Sequence, residues 1–405
     1  MKPKTKFIAI VLSGSLLSPL AFAQPLSFDD ALTRLRNGSD QLAAARAVVD
    51  QKEATAQGLK YLGGPTITLG AAAYRYHAAV DISLDPLQQT VDKLGSILPI
   101  PPSFLPQLPE TLTLQRNATG HFANITAFAP LYLGGSTDAV RGFVAAEGLE
   151  AKATLAGQEQ DLSLLLAQRY FGAQLALQAA RLRAYALKTV TEHDHAAERM
   201  LSNGVASKLE RLQARAALEE ARVQARKAEN DAVLAQLALE RMLKQSGASH
   251  WQLSTPLAVN SQPLPELGSF LSIAMMRHPG LAKVAAKRNQ AEQMHEASSA
   301  LQRPQVFAFG QRYFLDKGHG DWVAGLALRF NLIDSLDHRS LDRASHQQLV
   351  QADALAAQAR SDISLLVEKQ WRAAELSRTQ YLSMQVNEDL AQELLRLRQS
   401  GLREG

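Results

Sequence analysis

The longest regular pattern in the chain lies between residues 136 and 202, where apolar positions recur at helical spacing and no proline interrupts them. Leu162, Leu165, Leu166 and Tyr170 share one face there. This predicts a single helix of about 65 residues, about 100 Å long at 1.5 Å per residue. Asn203-Gly204 ends it. A second helix is predicted from Val205 to about Lys244. Its seam is Val205, Leu209, Leu212, Ala216, Ala221, Ala225, Ala228, Ala232, Ala235, Leu239 and Met242. Steps of four and three alternate along it, with one step of five after Ala216. That is a coiled-coil seam whose small residues let neighbouring helices approach closely.

Upstream, 27–62 reads as helix, broken near Asn37-Gly38-Ser39, capped by Ser27 with Asp30 and ended by Gly63-Gly64-Pro65. Residues 66–77 and 120–133 read as strands. Between them, 78–117 holds Pro86, Pro99, Pro101, Pro102, Pro106 and Pro109 and reads as a long irregular loop. Gly134-Gly135-Ser136-Thr137 turns the chain into the long helix, with Ser136 or Thr137 as its cap. Downstream, 246–266 reads as a linker. A helix over 267–301, a strand over 305–314, a tight turn, a strand over 322–332 and a helix over 337–399 follow, ending at Ser400-Gly401. In the last strand Trp322, Ala324, Leu326, Leu328, Phe330 and Leu332 alternate with Val323, Gly325, Ala327, Arg329 and Asn331. One apolar face and one smaller or more polar face suit a strand between lipid and lumen, although a soluble sandwich strand alternates in the same way.

The elements fall into two copies. Leu42 and Leu281 are 239 residues apart, as are Pro65 and Pro304, and Tyr74 and Tyr313. Further on the offset is 201: the run from Asp161 to Leu166 matches that from Asp362 to Val367, Tyr170 falls on Trp371, and Pro130-Leu131-Tyr132 falls on Asn331-Leu332-Ile333. The offset shortens because the insert between the strands differs, long over 78–117 and short over 315–320. Matching ends around a variable middle mark a hairpin loop.

Composition narrows the function. Hydrophobic residues are 46% of the chain and aromatics only 6%, the balance of long Ala/Leu helices rather than of a compact enzyme. The net charge of +4 is spread over 43 basic and 39 acidic residues without a basic stripe, which argues against nucleic acid as a partner. Lys2, Lys4 and Lys6, the apolar run 7–17 and Ala21-Phe22-Ala23 form a cleavable leader over 1–23, so the mature chain is expected to begin at Gln24. No other segment is apolar for long enough to be a membrane helix, so any membrane contact would use strands. Four strands cannot close a barrel, and open edges are not viable in lipid, so several chains would have to pool theirs. The chain has no cysteine, which removes thiol chemistry and a lipidated N-terminal cysteine. His193-Asp194-His195 is the one local His/Asp cluster; neighbours two apart on a helix face differently, and it reads as a solvated surface. His338 and His346 read as surface too. No phosphate-binding glycine motif, His-Glu-x-x-His or nucleophile elbow occurs, so no catalytic, cofactor or metal site is assigned and the chain does not read as an enzyme.

Three motifs carry a family resemblance over about 26–405. His278-Pro279-Gly280-Leu281 is similar to the Asn/His-Pro-x-Leu start of each copy in the TolC family of outer-membrane efflux proteins; Ser39-Asp40-Gln41-Leu42 lacks the proline. Pro130-Leu131-Tyr132-Leu133-Gly134-Gly135 resembles the family's strand-to-helix junction. The run from Asn203 to Ala214 resembles its tip turn, Gly-Leu-x-Ser-x-x-Asp-x-Leu-x-Ala.

The resemblance implies a mainly α fold with a small β part. Long coiled-coil α-helical hairpins carry four antiparallel strands per chain, which contribute to a trimeric 12-stranded β-barrel. The copies would be 24–245, with a strand hairpin over 66–133, a long helix over 136–202 and a return helix over 205–245, and 267–405, joined by the linker 246–266. It also implies an outer-membrane exit duct for multidrug efflux or type I secretion in a Gram-negative bacterium, a homotrimer in outer-membrane lipid with a periplasmic adaptor and an inner-membrane pump. The adaptor-contacting tip would be Asn203, Gly204, Val205, Ala206 and Ser207 in copy one and Ser400, Gly401 and Leu402 in copy two, with Pro130, Gly134 and Gly135 at the junction. The chain as given reaches only the start of the second turn, so the return helix of copy two and its acidic gate residues are expected to be missing. The rival readings are a periplasmic adaptor, which would need glycine-rich lipoyl-like modules, and a structural coiled-coil protein, which would not need two strand hairpins.

Overall fold

The computed structural model describes residues 25–97, 109–244, 251–259, 262–314, 321–332 and 335–404. The expected leader over 1–23, the expected tight turn over 315–320 and most of the prolines between the first two strands lie outside these residues. The chain divides into two units, one formed by Met1–Ala54, Ala146–Arg288 and Ala352–Gly405, the other by Thr55–Ala145 and Asn289–Gln351.

The first unit is built on helices. Strand β1 (Pro25–Leu26) leads into α1 (Phe28–Gly38), with Ser27 as N-cap accepting from the Asp30 N–H, and then α2 (Asp40–Gly58). Helix α4 (Ser136–Ser202) contributes to both units and pairs with α5 (Lys208–Met242). Strand β4 (Gln252–Leu253) lies in the inter-repeat segment, and α6 (Leu267–Arg277), α7 (Pro279–Ala300) and α8 (His338–Glu404) belong to copy two, the last two, like α4, running through both units. The core holds Leu26, Ala31, Leu35, Leu166, Tyr170, Leu239 and Trp251.

Tyr170 organises that core. It is fully buried; its hydroxyl donates to Leu26 O at 2.6 Å and accepts from the Thr255 N–H at 3.1 Å. The bonds clamp β1 against β4, a parallel pair formed across the inter-repeat segment. Copy two repeats the device: Trp371 donates from Nε1 to Pro265 O at 2.9 Å. Leu26 and Pro265 are separated by the first repeat offset, Tyr170 and Trp371 by the second. Removing the hydroxyl in Tyr170→Phe orphans the Thr255 amide and is expected to cost about 1–3 kcal/mol. Hydrogen exchange should show it as selective loss of protection at Ser254 and Thr255.

The second unit carries one antiparallel sheet in the order β2-β3-β5-β6: β2 (Thr66–Ser83), β3 (Thr111–Tyr132), β5 (Gln305–Phe314) and β6 (Trp322–Arg329). Among the described residues both β2 and β6 are open edges. The register places Trp322, Leu326 and Leu328 on one face with Val306, Ala308, Ile125, Ala127, Ile67 and Leu69, and with Arg312 opposite Trp322 as the polar exception among them. The opposite face carries Arg329, Gln305, Gln311, Thr126, Asn124 and Thr68, with Phe128 stacked on Phe307 at 5.2 Å between ring centroids.

Several elements differ from the sequence reading. The first hairpin extends well beyond 77, to Ser83, and resumes at Thr111. The segment expected to be irregular also contains α3 (Asp85–Ile97), with Pro86 in its first turn, where a missing N–H costs nothing. The helix expected over 267–301 is two, split at His278, whose Nδ1 accepts the Gly280 N–H at 3.0 Å. Ser39 splits α1 from α2 at the matching position, accepting the Leu42 N–H at 3.4 Å. Ser136 is the first residue of α4, but its hydroxyl donates to Leu133 O rather than capping.

The α5 seam also needs correction. From Ala221 onward the expected positions are buried or half-buried, but Val205, Leu209, Leu212 and Ala216 are exposed, and Ala214 and Leu218 are buried in their place. The step of five after Ala216 crosses from one helix face to another.

Candidate functional site

The turn between α4 and α5 is held by its own backbone. Gly204 has φ +76°, a left-handed conformation that suits glycine. The Val205 N–H reaches Met200 O at 2.9 Å and the Gly204 N–H reaches Leu201 O at 3.0 Å, the paired bonds of a Schellman helix end. Ser207 then starts α5 with a capping box: its Oγ accepts the Glu210 N–H at 3.2 Å, and its own N–H donates to Glu210 Oε2 at 2.6 Å. Five residues, 203–207, therefore connect two long helices with both ends closed. Val205 is left 76% exposed beside exposed Met200 and Leu209. Met200, Val205, Ala206, Ala214 and Ala217 line a cleft between the helices of about 490 Å³.

The hydrogen bonds from Ser207, the backbone N–H foremost, hold the Glu210 carboxyl below its ordinary value of 4.5. A depressed folded-state value means that this cap stabilises the turn above the unfolded-state value and is lost as pH falls through the folded one. Hydrogen exchange at 207–211, corrected for intrinsic rates, is expected to lose protection on acidification below about pH 4. Glu210→Gln should flatten that dependence, and Ser207→Ala should cost about 1 kcal/mol at neutral pH.

Above the turn, Asp194 is only 6% exposed and forms an ion pair with Arg211, which also lies 3.6 Å from Glu198. The His193-Asp194-His195 run is thus not wholly a solvated face. The two histidines are exposed, while Asp194 points into the helix pair as a staple. The signal was available: Arg211 lies seventeen residues on, at the matching height of the returning helix. Among the described residues no group of three His, Cys, Asp or Glu is placed to hold a metal ion.

Ser400, Gly401 and Leu402, expected in a second turn, lie inside α8. Gly401 is not among the glycines with positive φ, and a helix-interior glycine costs only about 1 kcal/mol, too little to end a helix without capping bonds.

The junction residues lie at the base of the sheet. Pro130 sits where the β3–β5 register shifts, a position that tolerates a missing N–H. Gly134 and Gly135 have φ of +69° and +94°. Arg303 Nη1 donates to Gly134 O at 2.9 Å, so copy two clasps the junction of copy one.

Residues 31–244 match the model of the outer membrane efflux protein family, and the chain belongs to that family. Solved structures agree in fold. The open-state outer membrane channel MtrE of Neisseria gonorrhoeae aligns with TM-score 0.70 and 14% identity over 100% of this chain and 88% of that one. The outer membrane channel CmeC of Campylobacter jejuni gives 0.69 and 13% over 91% and 74%. A membrane protein of Pseudomonas aeruginosa gives 0.67 and 14% over 93% and 84%. No curated protein sequence matches the chain significantly. The protein is thus an outer-membrane efflux channel component, a conduit rather than an enzyme. No helix among the described residues is long and apolar enough to cross a membrane.

Proposed function

We propose that the chain is the outer-membrane exit duct of a tripartite efflux pump or a type I secretion system. The observation that carries this reading is a four-stranded sheet with two open edges and a mainly apolar face, in a member of an outer-membrane efflux family. Edges cannot remain open in lipid. Three four-stranded sheets joined edge to edge give a 12-stranded barrel, an even number within the bacterial range. Residues 24–245 and 267–405 act as the two structural repeats, and 1–23 acts as a leader removed on export. The turn 203–207 is the contact for a periplasmic adaptor, which in turn engages an inner-membrane pump. Its exposed apolar Val205 and the small-residue cleft beside it suit a helical hairpin partner.

The chain lacks cysteine, so single cysteines give clean crosslinks. One pair joining β2 to β6 of another copy, at Leu69 and Leu326, is expected to trap a trimer in the outer-membrane fraction. A cysteine at Val205 is expected to crosslink a co-expressed adaptor, and one at Asp81 is not. Recovery of a soluble periplasmic monomer would sink the duct reading, and equal crosslinking from Asp81 would sink the assignment of the turn.

A further inference from the structure

At the base of the sheet, Leu301, Arg303, Gln305, Arg329, Asn331, Leu336 and His338 line a cavity of about 170 Å³. Among the described residues this lining holds two guanidinium groups and no carboxylate. Arg303 is partly committed, to Gly134 O at 2.9 Å and near Glu296 at 3.7 Å. Arg329 has no partner among the described residues. It ends β6 opposite Gln305, on the polar face of the sheet and turned away from the apolar face of Trp322, Leu326 and Leu328. His338 opens α8, and the Asp337 carboxylate just before it accepts from the Ser340 N–H and hydroxyl, so the positive charge at the cavity comes from the two arginines.

We propose that this cavity binds an anionic oxygen group, a carboxylate or phosphate, of cargo moving through the duct, with Arg329 as its principal ligand. An unpaired guanidinium presents a planar fork of donors that matches such a group in two parallel bonds. Gln305 and Asn331 supply neutral donors at the rim, and Arg303, anchored through the junction carbonyl, gives fixed positive charge behind. That the anion is cargo rests on the duct reading; the cavity's affinity for it does not.

Titration of the detergent-solubilised full chain with inorganic phosphate tests the site directly. Saturable binding is expected, weakened about tenfold or more by Arg329→Ala and to a lesser extent by Arg329→Lys, which keeps the charge but loses the two-pronged fork. In planar bilayers under a salt gradient, Arg329→Glu should move the reversal potential toward cation preference. Absent phosphate binding, or binding that Arg329→Ala leaves unchanged in protein of wild-type helicity, overturns the proposal. Thermal stabilisation by phosphatidylglycerol that is lost in Arg329→Ala, with none from inorganic phosphate, would assign the cavity to a lipid headgroup and overturn it as well. Phosphate binding without conductance would refute the duct and leave the site standing, and conductance without binding would do the reverse.

Discussion

Gly134→Ala is expected to remove most of the folded protein from the outer membrane, while Gly204→Ala leaves it there. Both residues are left-handed, with φ of +69° and +76°, and both pay the strain of a side chain in that region, about 1–2 kcal/mol. They differ in what the new methyl group meets. At Gly134 a Cβ would stand 2.5 Å from Ala300 O and 3.0 Å from Arg303 Cβ, and at Gly204 nothing lies within 4 Å. The Ala300 carbonyl belongs to the last residue of α7 and cannot swing aside as a side-chain tip can. Either the helix end moves or the junction opens, and opening it breaks the Arg303 bond to Gly134 O. Strain and overpacking together should exceed about 3 kcal/mol, a large share of the stability of an ordinary domain. Gly135→Ala should fall between the two, because its Cβ would meet only the Arg303 guanidinium, at 3.2 Å. Outer-membrane yield and melting temperature in detergent should rank Gly134→Ala lowest, then Gly135→Ala, then Gly204→Ala. Equal loss at 134 and 204 would show that backbone strain alone sets the cost.

Much of this was legible in the sequence, and the reasons it was, or was not, are physical. Proline and glycine carry their constraint in one residue, so the ends at Gly63-Gly64-Pro65, Gly134-Gly135 and Asn203-Gly204 could be read directly. The repeat was visible because both copies need the same breaks and the same aromatic latch. The first hairpin's length was hidden because its outer part loses clean alternation. Ala71, Ala72 and Ala73 fit either face, and beyond Tyr74 polar Arg75, His77 and Asp81 take over the face that is apolar at Ile67 and Leu69. A bridge of two residues such as β1–β4 has no period to detect. It depends on Trp251 and Tyr170, far apart in the chain, meeting Leu26. The α5 seam is ambiguous in the sequence because alanine lies on several faces of that helix and is too small to say which one packs. Arg211, a charged residue, marked the buried face near the turn more faithfully than Leu209 or Leu212 did.

That charge gives the second large effect. Asp194 and Arg211 form a pair whose side chains are only 8% and 16% exposed, placed where α4 and α5 approach the turn. A buried pair of this kind adds little net stability, because desolvation offsets attraction, but removing one partner strands the other at a cost of about 3–5 kcal/mol. The two partners are not equivalent here. Arg211 keeps Glu198 at 3.6 Å, and that glutamate is 62% exposed, so Asp194→Leu leaves the guanidinium a second carboxylate and a route toward water. In Arg211→Met the buried Asp194 carboxylate is left without its cation, so the full penalty applies. The combined Asp194→Leu, Arg211→Met protein buries two apolar side chains of similar size and should return close to wild type. Native-state hydrogen exchange over 190–215 reads these as local opening free energies. The expected order of destabilisation is Arg211→Met, then Asp194→Leu, then the double variant. A double variant as unstable as Arg211→Met would mean that the pair itself, rather than the stranded charge, holds the two helices together above the turn.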